Sequence, residues 1–152
     1  MNHTRVARLT NRSGRSPLAG PLARAHARLY RLLRGRGVAR WFGAPVMVLE
    51  TVGRRSGKAR AVPVLYLRDG DDLVAVAANA GNHRTPAWWL NLKAAGEGVA
   101  VIGGERRRVR PRVATGDERE RLWAGFVRMY PAAGDYTGFT ERELPVIVLE
   151  PA

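Results

Sequence analysis

The sequence contains no cysteine, which excludes disulfides, thiol nucleophiles and Cys-based zinc or iron–sulfur centres and agrees with a reducing cytoplasm. Histidine is scarce: His3, His26 and His83 lie far apart without the spacing of a ligand set, so no metal site is expected. Only Lys58 and Lys93 are lysines among 26 cationic residues, a bias toward arginine that a GC-rich genome also produces. No apolar run approaches the roughly 20 residues that span a bilayer, and no signal-peptide core follows the basic N-terminus. Acids are missing from the first third of the chain except for Glu50. The net charge of +13 therefore belongs to residues 1–60, and residues 61–152 are balanced. Such a charge invites nucleic acid as a partner, but the region lacks both interleaved aromatics and a recognition-helix pattern, so nucleic acid is disfavoured.

What remains is ordinary globular composition. With 152 residues and 45% hydrophobic content, one domain can bury a core unaided. Residues 1–16 are polar and arginine-rich without an apolar period, which predicts a disordered basic tail. Within residues 17–44, Leu22, Ala25, Leu29 and Leu32 or Leu33 recur at helical spacing. A basic amphipathic helix over Pro21–Leu33 is predicted, with Arg24, Arg28 and Arg31 opposite the leucines. It packs its leucines on the domain or lies on an anionic membrane surface.

Residues 45–152 read as the folded domain. Strands are predicted over Val46–Val52, Ala61–Arg68, Asp72–Ala78, Val99–Ile102, Arg106–Val113 and Leu144–Leu149, with hairpins at Asp69-Gly70-Asp71 and Gly103-Gly104. Thr85 and Pro86 open a helix over Ala87–Ala95, and Thr115 with Glu118 forms a capping box for another running to about Met129. About six short antiparallel strands with interspersed helices define an α+β domain, plausibly a small barrel, since closure removes exposed edges.

Three segments carry candidate chemistry. Thr51-Val-Gly-Arg-Arg-Ser-Gly-Lys-Ala-Arg60 places four cations and two glycines between strands, a turn fitted to phosphate or several carboxylates, or else a solvated basic hairpin. Ala78-Asn-Ala-Gly-Asn-His-Arg-Thr-Pro86 leads from a strand to a helix N-terminus, where small residues let a ring lie against backbone. Trp88 and Asn91 follow on one helical face. Met129-Tyr-Pro-Ala-Ala-Gly-Asp-Tyr136, continuing to Phe139, is an aromatic loop that serves as a lid or a cap.

TVGRRSGKAR with a P-x-x-Y strand, the AxxGNxxxPxWxxNL run, MYP with D-Y beyond it and the closing LPVIVLEP occur here in one order. Together they resemble the deazaflavin (F420)-dependent nitroreductase family over about Pro45–Pro151. The resemblance implies a split β-barrel that binds reduced 8-hydroxy-5-deazaflavin, coenzyme F420, in preference to FMN. It also implies hydride transfer to an electron-poor acceptor, a quinone first and a nitro compound second. On the same ground Arg54, Arg55, Lys58 and Arg60 would meet the phosphodiester and oligoglutamate tail, with Ser56 and Gly57 as backbone donors. Pro63, Ala77, Ala78 and Asn79 would line the ring, Trp88 and Asn91 would close the site, and Tyr130 and Tyr136 would serve catalysis by hydrogen-bonding or protonating the acceptor.

Two positions depart from the family pattern. Ala133 stands where nitro-activating members have tyrosine, which favours quinones as acceptors. Asn79 stands where lysine is common, with Arg84 as a substitute cation. Two alternatives to the reductase are a coenzyme- or lipid-binding barrel without turnover and a membrane-surface module. The expected location is the cytoplasm, at the inner face of the cell membrane if the basic helix binds there.

Overall fold

A computed structural model describes residues 40, 41 and 43–152, together with Thr4, Arg5, Ala7, Arg8 and Ala25, which have helical backbone. Apart from these five positions, the tail expected over 1–16 and the helix expected over Pro21–Leu33 lie outside the described residues.

From Arg40 onward the chain forms β1 (Arg40–Trp41), β2 (Ala44–Val52), β3 (Ala59–Leu65), β4 (Leu67–Asp69), β5 (Asp72–Val76), helix α1 (Ala87–Ala95), β6 (Gly98–Ile102), β7 (Glu105–Val113), helix α2 (Gly116–Met129) and β8 (Val146–Pro151). Short 3-10 segments at Asn79–Gly81 and Pro131–Phe139 precede α1 and follow α2. Every strand pairing is antiparallel, in the order β1-β2-β6-β7-β8-β5-β4, and β3 pairs with β2 alone. The expected strand Ala61–Arg68 is broken at Tyr66. Up to Leu65 the chain pairs with β2, and from Leu67 it pairs with β5. One residue thus carries the chain from one flank of the sheet to the other, and the sheet curls into a split barrel around that crossing. Counting β3 with β4 as one bent strand recovers the six expected, and β1 is a two-residue addition.

Period-2 alternation sorts the side chains of the central strands between two cores. In β5, Leu73 and Ala75 join Met47, Leu49, Ala100, Ile147 and Leu149 inside the barrel, while Val74 and Val76 face outward. In β8, Ile147 and Leu149 point in, and Val146 and Val148 point out. The outer face does not meet water, because Leu122 and Phe126 of α2 cover it together with Tyr130, Ala133 and Tyr136. Trp89 and Leu92 of α1 belong to the interior cluster.

Turn chemistry sets the register. Gly103 and Gly104 both have positive φ, +58° and +86°, as a tight hairpin demands, and Ile102 pairs with Glu105 across them. Gly70 at φ +61° does the same between Asp69 and Asp72. The helix starts differ from expectation. Pro86, not Thr85, is the N-cap of α1, and its carbonyl accepts from the Trp89 and Leu90 amides. The Thr115/Glu118 capping box does not form. Glu118 is instead held by the Arg112 guanidinium, at 3.0 Å for one of two bonds, and a charged fork outcompetes a backbone amide for that carboxylate.

Candidate active site

The basic turn between β2 and β3 is shaped by glycine. The Gly53 amide donates to the Lys58 carbonyl at 2.8 Å, and the Gly57 amide to the Gly53 carbonyl at 2.8 Å. Gly57 has φ +68°, which strains any residue with a side chain, and a Cβ at Gly53 would lie 2.7 Å from Ser56 Oγ and push that hydroxyl aside. Ser56 Oγ accepts from the Lys58 amide at 3.3 Å and from Arg60 Nη2 at 3.4 Å. Gly57 therefore builds the turn, and the backbone donor expected of it is already engaged.

A side chain from α1 fixes this turn in space. Asn91 Oδ1 accepts from the Arg54 amide at 3.2 Å and from Arg54 Nη1 at 3.0 Å. Asn91 is only 6% exposed, so its amide can be satisfied only by such a partner, and removing it strands buried polar groups. Arg54 is thus a tie to α1. Among the described residues the exposed side chains of Arg55 and Lys58 have no hydrogen-bond or ion-pair partner, and Arg60 reaches only Ser56. The anchored turn thus carries exposed cations that have no acidic partner among the described residues, which suits spread negative charge.

The second half of the site is the loop from Ala77 to Asn82, between β5 and α1. Asn79 and Ala80 take positive φ, +47° and +52°, ahead of Gly81 at +73°. Left-handed backbone costs a residue with a Cβ roughly 1–2 kcal/mol, so Ala80 is held there by its surroundings. The hold is visible. The Gly81 amide donates to the Ala78 carbonyl at 2.9 Å, and the Asn82 amide and Nδ2 both donate to the Asn79 carbonyl, at 3.0 and 2.8 Å. Asn79 Nδ2 donates to the Arg84 carbonyl at 3.0 Å. A Cβ on Gly81 would lie 2.8 Å from the Tyr136 carbonyl, so this loop presses on the Pro131–Phe139 segment.

That segment carries the tyrosines. Tyr136 Oη donates to Tyr130 Oη at 3.2 Å with ring centroids 6.3 Å apart, and both residues are at most 6% exposed. They share a cluster with Ala78 and Ala80, so the tyrosines pack in the same core as the loop. Ala133 is fully buried in the same cluster, so the absent tyrosine is replaced by packed interior and not by open space. Pro63 sits opposite Val48 in β3, which bonds to β2 alone, an edge position that tolerates a missing amide. Trp88 is half-buried against Trp89 at 6.4 Å.

Arg142, in the polar stretch before β8, was not anticipated as part of this neighbourhood. Its guanidinium donates to the carbonyls of Asn82, Ala77 and Ala78 at 2.8, 3.0 and 2.6 Å. Its partners are backbone atoms 60 to 65 residues away, and no sequence pattern announces such bonds. A cavity of about 450 Å³ beside Asp71, Glu105, Arg107 and Arg108 includes none of the site residues.

A curled antiparallel barrel with a cation-bearing turn, a small-residue loop and a buried pair of hydroxyls defines a coenzyme-binding split-barrel oxidoreductase. Comparison with known proteins narrows this class. The family model described as F420H(2)-dependent quinone reductase matches residues 22–151, and the chain belongs to that family. F420H(2)-dependent quinone reductase Rv1261c of Mycobacterium tuberculosis is 34% identical over 134 residues, covering 84% of this chain and 89% of its own. A structure described as an F420-H2 dependent reductase (FDR-A) superposes with a TM-score of 0.64 at 31% identity, over 70% of this chain and 94% of the other. Another, described as a domain-swapped dimer, gives 0.66 at 27% identity, over 86% and 99%.

Proposed function

We propose that this chain transfers a hydride from reduced coenzyme F420 to a quinone, with nitro compounds as the second acceptor class. The observation that carries the assignment of the site is the turn backbone locked to α1 through Arg54 and Asn91, on which Arg55 and Lys58 are exposed cations without a partner among the described residues. Those residues fit the coenzyme's phosphodiester and glutamate carboxylates, with Arg60 and Ser56 closing the turn behind them. Ala77, Ala78 and Gly81 are buried behind the loop, and its half-exposed turn at Asn79 and Ala80 offers the small surface a tricyclic ring would lie against, with Pro63 and Trp88 at its margins.

The bound coenzyme supplies the hydride, two electrons with one proton. The chain's own part is to orient, to exclude water and to manage charge on the acceptor. Hydride addition to a quinone leaves an anionic oxygen, and one further proton completes the hydroquinone. The Tyr130 and Tyr136 hydroxyls, already hydrogen-bonded to each other, are placed to stabilise that oxygen and to pass the proton. Burial in an apolar cluster strengthens this stabilisation, because no solvent competes for the hydroxyls. Ala133 is packed where a third tyrosine would stand, which leaves Tyr130 and Tyr136 as the phenolic hydroxyls there and fits a quinone acceptor.

Among the described residues no helix is long and apolar enough to cross a membrane. A cytoplasmic enzyme attached peripherally to the anionic inner face fits lipophilic quinones and the charge concentrated in residues 1–60. Vesicle sedimentation that is unchanged when Arg24, Arg28 and Arg31 become Gln would refute that attachment.

The reductase is tested by titrating purified protein with reduced coenzyme F420, FMN and NADPH, then adding menadione while following coenzyme oxidation. Saturable F420 binding with acceptor-dependent oxidation is expected. Binding without oxidation by any acceptor would instead make the chain a coenzyme-binding barrel without turnover.

A further inference from the structure

Arg142 is a half-buried cation with an unusual set of partners. Its guanidinium donates to Asn82, Ala77 and Ala78 carbonyls and, at 3.3 Å, to that of its neighbour Glu143. All four acceptors are neutral backbone oxygens. Burial pushes its pKa down from the ordinary value, yet a guanidinium stays protonated at neutral pH. A charge is therefore kept partly dry to hold three carbonyls of one six-residue loop. Those carbonyls bracket Asn79 and Ala80, the two non-glycine residues with left-handed backbone. Strained backbone persists only where its surroundings over-determine it, and Arg142 supplies three bonds of that over-determination. A neighbouring cation, Arg119, bonds the same connecting segment at the Leu144 carbonyl, 3.0 Å, without touching the loop.

We propose that Arg142 is a positioning residue for the coenzyme ring, acting through the backbone of Ala77, Ala78 and Asn82; this rests on the site assigned above. The guanidinium keeps the loop in the one conformation that buries Ala77 and Ala78 and presents the half-exposed backbone of Asn79 and Ala80. When the clamp is lost the loop occupies that conformation only part of the time, and apparent coenzyme affinity falls in proportion to the competent fraction. The clamp acts on the loop backbone, so coenzyme binding should suffer more than the step that reduces a bound quinone.

The test compares wild type, Arg142→Met, Arg142→Lys and Arg119→Gln by direct titration with reduced coenzyme F420, and by amide hydrogen exchange of the ligand-free proteins. For Arg142→Met, a dissociation constant raised about tenfold or more is expected, with faster exchange at Gly81 and Asn82 and an unchanged KM for menadione. Arg142→Lys recovers part of the affinity, and Arg119→Gln matches wild type. If Arg142→Met fails to fold, Arg142→Lys decides, since a single ammonium cannot reach three carbonyls at once. Wild-type affinity in both Arg142 variants overturns the proposal, as does an equal loss in Arg119→Gln, which would mark a general structural effect. Absence of coenzyme binding by folded wild-type protein overturns the site assignment and this role with it, whereas the first two outcomes leave the site assignment standing.

Discussion

Two arginine-rich stretches of nearly the same composition behave in opposite ways. In β7, Arg106 meets Glu50, Arg107 meets Glu105, Arg108 meets Glu97, and Arg112 bridges Glu118 and Glu150. In the turn from Gly53 to Arg60 no cation meets a carboxylate among the described residues, and Arg54 bonds an uncharged amide. Glu50, Glu97, Glu105, Glu118 and Glu150 are each taken up by an arginine of β7, so most of that strand's charge is neutralised. The turn keeps its charge because Glu50, the one acid of β2, is committed to Arg106 and residues 53–60 contain no acid. Composition alone marks both as basic, and only the distribution of partners separates a solvated strand face from a site awaiting an anion.

The sharpest way to break this contrast is to neutralise both sets. Arg55→Gln with Lys58→Gln should raise the coenzyme dissociation constant by about a hundredfold, since each lost charge-assisted contact is worth roughly 1.5–3 kcal/mol, and should leave the melting temperature unchanged. Arg107→Gln with Arg108→Gln should leave affinity at the wild-type value; equal losses in both titrations would mean that overall charge, and not the turn, attracts the coenzyme. Removing the hydroxyl in Tyr130→Phe should lower kcat about tenfold to a hundredfold with little change in coenzyme binding, measured by single-turnover oxidation with menadione.

The tie between turn and helix comes next. Asn91→Leu leaves the Arg54 amide without its partner, which should cost about 1–3 kcal/mol in stability and weaken coenzyme binding about tenfold, read together by denaturant melts and titration. The smallest effect belongs to the paired acids. Arg121 holds the Asp69 carboxyl below its ordinary value of 3.8, and Arg112 holds Glu118 below 4.5, chiefly by hydrogen bonds. A carboxylate with a lower pKa in the fold than in the unfolded chain stabilises above the unfolded value, and this is lost as pH falls through the folded one. Stability should therefore decline below about pH 4.5, and Arg112→Gln should make the decline shallower in acid melts. Exposure and screening keep the change small.

Much of this was legible in advance for a physical reason. The hairpins at Gly70 and at Gly103-Gly104 could be placed because their backbone demands glycine, and α1 because Pro86 stops a strand and starts a helix. The ordered motifs from the basic turn to the closing strand carried the family. The break at Tyr66 was hidden, since alternation continues through it and nothing local says that pairing changes partner. Thr115 was rightly placed as the N-cap of α2, but its capping box does not form because Arg112, from another element, claims Glu118. The roles of Asn91 and Arg142 were invisible for the same reason: their partners are backbone atoms or side chains tens of residues away.

The crossing at Tyr66 has a consequence for how the chain must be made. β8 is the last of the described strands to be synthesised, yet it sits inside the sheet, between β7 and β5. Until it arrives, β5 and β7 are open edges, and Val74 and Val76 lack their partners Val148 and Val146. Open edges of this kind are templates for pairing with a second nascent chain. A stalled or truncated product should therefore aggregate instead of remaining as a partly active barrel, and its solubility in the cell should depend on how quickly the final strand is delivered.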